Sequence, residues 1–265
     1  MNHFPIPQTI APTIAPRNWA HSGYRAGAWP QRAFAGALLL LALLSASVSA
    51  NNQCPADQLI ASYRLTQQQH GQAPQVTTLQ LVRHGNRVAM ADIGAQHSQS
   101  WTKLSNQRLI SSRHYDDHQR SIDYASSELR QRGGNSQWQQ HYQLVPPALF
   151  SQLTLQPQPQ QPQQLSQECA ALRHYRGQQD QRHVTLHWLN QLQLPQYWQV
   201  QAPHSQWQLQ LIGIDHQPQA IDAFFAQRDQ YQAVDFADIG DNEQDPFLRQ
   251  MISLGFKPLQ GITAH

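Results

Sequence analysis

Between Val76 and Tyr124 the chain is written in short runs in which apolar and polar side chains alternate, with turn formers between them. Thr77, Leu79 and Leu81 alternate with Thr78, Gln80 and Val82, and Val88 to Met90 resumes the apolar character after a Gly85-Asn86 break. Successive side chains of a strand point to opposite faces, so a period of two marks a sheet with one buried face. Trp101 to Leu104, Leu109 to Tyr115 and Ser121 to Tyr124 are further strand candidates. They end at Ser105-Asn106-Gln107 and Asp116-Asp117-His118-Gln119, where short polar side chains can hydrogen-bond nearby backbone and tolerate unusual dihedrals. No part of Val88 to Tyr124 carries a helical period. The stretch reads as an antiparallel meander.

The flanks add a few helices. Pro55 in Cys54-Pro55-Ala56-Asp57, followed by Leu59, Ile60 and Tyr63, predicts an N-terminal helix. Gln156 to Gln164 is a Gln/Pro-rich loop, and Val184 to Leu189 and Trp207 to Ile214 alternate as strands. Pro218 starts a helix with Ala220, Ile221, Phe224 and Phe225 on its apolar stripe. Asp245 and Pro246 open a last helix that buries Phe247, Leu248, Met251 and Ile252 and closes at Gly255. The expected class is α+β: a mainly antiparallel sheet with an N-terminal helix and C-terminal covering helices. A β-meander segment with the N-terminal helix (51–155), the loop (156–164) and strands plus helices (165–265) are expected to pack as one domain.

Residues 1–50 hold no Asp or Glu. They carry Arg17, Arg25 and Arg32, then an apolar run from Ala33 to Leu44, then Ser45 to Ala50 in small residues. That order predicts a signal peptide cut after Ala50 and hence a periplasmic or secreted protein. The apolar run is short of the roughly 20 residues that span a bilayer. Asn51-Asn52-Gln53 separate it from Cys54, so no stable membrane anchor is expected. Three of the 18 basic residues leave with the leader, so 15 face 16 acidic ones. No basic surface remains to attract nucleic acid. The expected partner is a small ligand or an envelope protein, and no cofactor is called for. In an oxidising compartment Cys54 and Cys169 are expected to pair.

Leu79 to Val88 admits two readings. Gly85-Asn86 suits a two-residue hairpin, which makes Arg83 and Arg87 cross-strand neighbours on an exposed face. Alternatively, an apolar strand running into Arg83-His84-Gly85 resembles the histidine phosphatase superfamily. That resemblance implies His84 as nucleophile, Arg83 and Arg87 as phosphate clamps and His216 as the second histidine of the pocket. The hairpin is the favoured reading, and with it a ligand-binding or accessory protein without catalytic machinery; its curved sheet under helices resembles the lipoprotein-carrier architecture. Two weaker metal candidates stand beside these: His114, Asp116 and His118 at one turn, and Asp238, Asp241 and Glu243 in an acidic loop.

Overall fold

The computed structural model describes residues 54–131, 137–157, 171–241 and 244–253. Its central strand, β1 (Gln58–Gln69), lies where Pro55 led to the expectation of a helix. Pro55-Ala56-Asp57 only turns the chain into the sheet. Leu59, Ala61, Tyr63 and Leu65 are all buried while the residues between them are less so, and that period of two outweighs the spacing of Leu59, Ile60 and Tyr63.

From β1 the chain winds outward through β2 (Gln75–His84), β3 (Arg87–Asp92), β4 (His97–Lys103), β5 (Leu109–Tyr115) and β6 (Arg120–Tyr124), each antiparallel to the last. The β2–β3 connection is the expected hairpin. His84 pairs with Arg87 across Gly85-Asn86, and Gly85 takes φ +59°. Three short helices follow, α1 (Ser126–Gln131), α2 (Trp138–Gln143) and α3 (Pro147–Phe150). A second meander then runs inward through β7 (Thr154–Leu155), β8 (Leu172–Gln179), β9 (Arg182–Leu189), β10 (Leu194–Gln201) and β11 (Ser205–Asp215). β11 pairs with β1, so both meanders share one 12-stranded sheet, ordered β12-β6-β5-β4-β3-β2-β1-β11-β10-β9-β8-β7. Helix α4 (Pro218–Asp229) crosses the sheet and brings β12 (Gln232–Asp235) to its far edge. β12 runs parallel to β6, which only a crossover connection permits. A 3₁₀-helix (Phe236–Asp241) and α5 (Pro246–Ser253) come last.

One face of the sheet carries the main core, from Leu81 and Val88 through β1 to Leu209, Trp198 and Leu186. The segment containing α2 and α3 covers it through Leu144, Val145, Leu149 and Leu153. The opposite face of β1 to β3 is covered by α4, whose Ile221 and Phe225 pack on Val82 and Ala89. At the β6 edge, Ile122 and Tyr124 meet Ile239, Phe247, Leu248 and Met251. Asp245 caps α5 by accepting the Phe247 and Leu248 amides and takes Arg120 on its other oxygen. Ile252, expected in the buried face of α5, is 45% exposed. Among the described residues no helix is long and apolar enough to cross a membrane.

Gly177 marks how tightly the cover sits. It lies opposite Val184 on the core face, and a Cβ there would stand 2.6 Å from a Leu153 methyl carbon and 2.9 Å from the Gln152 carbonyl oxygen. Gly177→Ala is therefore expected to cost about 1–3 kcal/mol, an overpacking penalty measurable by urea unfolding.

Candidate functional site

Arg83 belongs to β2 on the core face and is fully buried, not exposed beside Arg87 as the hairpin reading had it. The correction follows from register. His84 pairs with Arg87 and Arg83 with Val88, so the two arginines project from opposite faces. The guanidinium offers five N–H donors, and all five are engaged by backbone carbonyls. Nε and Nη2 both donate to Tyr142, Nη1 to Ala56 (2.8 Å) and Leu192 (2.7 Å), and Nη2 also to Gln193 (2.8 Å). It also lies 3.7 Å from the centre of the Tyr142 ring. One cation thus ties the entry to β1, the end of α2 and the β9–β10 turn to β2. Burial away from water pulls its pKa down to about 10, with the Tyr142 and Tyr63 phenols acting in the other direction.

The cover that Arg83 holds bridges the core face from side to side. His141 of α2 stacks on Trp101 of β4 with centroids 4.0 Å apart, while Phe150 of α3 meets Tyr175 of β8 and Trp188 of β9 edge-on. α2 buries none of its own side chains and α3 only Leu149. Helices this short are unstable on their own, so their placement depends on Arg83 and a few apolar contacts.

Beneath this cover two polar atoms stand out. The Tyr63 hydroxyl and the Trp198 indole Nε1 are buried and have no hydrogen-bond partner among the described residues. Both side chains are essentially fully buried and belong to the same apolar cluster, with Trp207 edge-on to Trp198 at 4.8 Å. Burial drives the Tyr63 pKa far upward, against the pull of Arg83, so the phenol is a neutral donor. An unpaired buried polar group costs about 1–3 kcal/mol and is uncommon in native interiors. A binding partner that supplies an acceptor at each position removes that cost.

The other sequence candidates are on the opposite face or outside the core. His84 faces α4, with Nε2 3.6 Å from Asp222 and its ring 6.1 Å from that of Phe225. Arg87 is held in a bidentate pair by Asp229, whose pKa it lowers chiefly through those hydrogen bonds. His216 Nδ1 lies 3.0 Å from the Gln58 carbonyl oxygen. His84 and Arg87 thus share the α4 side, while Arg83 lies across the sheet with every donor occupied. The converging pocket implied by the phosphatase resemblance is not formed.

The proposed turn ligands are likewise engaged with their neighbours. His114 is buried between the Ser100 and Ser121 hydroxyls at 2.9 and 2.7 Å. Asp116 receives Arg228 and the Tyr231 hydroxyl, and Arg228 also donates to Ser98 and to the Phe224 carbonyl. His118 lies 3.5 Å from Asp117 and against Phe247. Asp238 and Asp241 sit on the 3₁₀-helix, and Glu243 lies outside the described residues. Among the described residues no three His, Cys, Asp or Glu converge to hold a metal ion. Cys54 packs at the edge of the main core, whereas Cys169, most of the Gln/Pro loop, Gly255 and the leader lie outside the described residues.

No family model matches the chain, and no curated protein matches it. Two solved structures of PNGF-II, in different space groups, align with 67–69% of the chain at 4–6% identity, with TM-scores of 0.36 and 0.33. The aligned part spans about a third of those chains, 31% and 32%.

Proposed function

We propose that this chain is an exported, non-enzymatic ligand-binding protein whose ligand is a largely apolar molecule with a polar acceptor. It is taken up between the core face of the sheet and the α2–α3 cover. The observation that carries this reading is the pair of donors, Tyr63 Oη and Trp198 Nε1, buried without a partner among the described residues. The signal-like leader ending at Ala50 supports export, and an oxidising compartment favours pairing of Cys54 with Cys169.

A dansyl-labelled undecanoic acid titrated into the purified protein tests this. Saturable binding is expected, and Tyr63→Phe should weaken it about 10-fold, the worth of one hydrogen bond at about 1.4 kcal/mol. The same substitution should leave the ligand-free protein as stable as before or more so, since it removes a hydroxyl that is buried without a partner. A Tyr63→Phe protein that loses stability but keeps its probe affinity contradicts the proposal.

A further inference from the structure

On the face opposite the main core, strands β8 to β10 carry a patch that the interior ligand does not use. His174 of β8 and His187 of β9 are direct cross-strand partners, their ring centroids 4.3 Å apart with planes at 63°. The Tyr197 ring from β10 flanks His187 at 5.3 Å. Directly paired residues on one face of a sheet have Cβ atoms about 4.5–5.5 Å apart. Two imidazoles with centroids this close can each turn one nitrogen toward a shared ion at metal–nitrogen bonds of about 2.0–2.1 Å.

We propose that His174 and His187 form a two-histidine site for a divalent transition metal, with water completing its coordination. The chemistry selects the ion. Two neutral imidazoles with open positions suit Cu²⁺ best, then Ni²⁺ and Zn²⁺, and offer nothing to Mg²⁺ or Ca²⁺, which take oxygen ligands. Arg176, two residues beyond His174 along β8, is a cation beside the site and limits affinity. His183 lies four residues from His187 on β9, about 13 Å along the strand, too far to share an ion with it.

The test is isothermal titration of the purified protein with Cu²⁺ and, separately, Mg²⁺ at pH 7.5, with the copper spectrum read by electron paramagnetic resonance. One Cu²⁺ with two nitrogen ligands is expected, weakened at least 10-fold by His174→Gln or by His187→Gln, and no Mg²⁺ binding. These half-exposed positions tolerate Gln, and circular dichroism confirms folding of each variant. His70→Gln/His204→Gln serves as the control, because that pair of rings is 6.1 Å apart at other hairpins and should leave the strong site unchanged. Copper binding that both single variants retain, or that the control abolishes, overturns the assignment. So does a spectrum with only one nitrogen ligand, or no binding below millimolar Cu²⁺.

Discussion

Replacing Arg83 with Met is expected to lower the unfolding free energy by about 3–5 kcal/mol, measured as a shifted urea midpoint at constant slope. The side chain itself is apolar and fills similar space, so the loss comes from what it leaves behind. The carbonyls of Ala56, Tyr142, Leu192 and Gln193 lose their donor together, and that of Leu192 is bonded in the buried interior. Arg83→Lys should fall between, because an ammonium has three donors on a single point where the guanidinium spreads five over a plane. Loss of amide-exchange protection should concentrate at the end of α2 and the β9–β10 turn. If Arg83 were an anion clamp, removing it would spare stability, since the charge would have been held for a ligand.

Between about pH 6.5 and 4, acid should destabilise the protein chiefly through His114. Burial, reinforced by the positive charge of Arg228, pulls the His114 pKa down to about 4 from an ordinary 6.5. Between those values the unfolded chain holds a proton on His114 that the folded chain does not. Stability therefore rises with pH across this window and falls as pH drops from about 6.5 to 4. The difference amounts to about 3 kcal/mol at 1.36 kcal/mol per pH unit. His114→Gln, which can still bond Ser100 and Ser121, should remove most of that slope in urea titrations at pH 4, 5, 6 and 7. A slope as steep in the variant as in the wild type would show that other groups carry the acid response.

Much of the first meander was legible because its strands obey a simple alternation. Leu79 and Leu81 face the core, the Gly85-Asn86 hairpin forms with Gly85 at positive φ, and β5 begins and ends at the residues expected, Leu109 and Tyr115. α4 and α5 were likewise announced by Pro218 and by Asp245-Pro246. β1 was misread since Pro55 and the Leu59, Ile60, Tyr63 spacing satisfy a helix as well as a strand, and only pairing on both sides decides between them. β8 was not visible at all. Its sequence, LRHYRGQQ, is almost wholly polar, and it forms one strand in from the edge through backbone pairing with β9 and β7 more than through burial. In β10 a register shift between Pro195 and Tyr197 breaks the alternation.

The site was less legible than the fold, for a physical reason. Arg83 next to His84 looks like chemistry in one dimension, yet neighbours in a strand point apart, and the sheet separates them. Its role as a clamp depends on carbonyls 27 to 110 residues away, which no local pattern encodes. Tyr63 and Trp198 read as ordinary core aromatics. What sets them apart is that neither has an acceptor among the described residues, a property of the packed interior. The His174–His187 pair hid in strands β8 and β9, of which only the second could be foreseen.

Trp198 offers the most direct measurement of whether a ligand enters beneath the α2–α3 cover. A fatty acid brominated along its chain quenches an indole only on contact, and Trp198 is 1% exposed, out of reach from the surface. Titrating it into the wild type should quench part of the tryptophan emission, and that part should shrink clearly in Trp198→Phe. Quenching of equal depth in both proteins, or none in either, would mean that no ligand reaches the interior face.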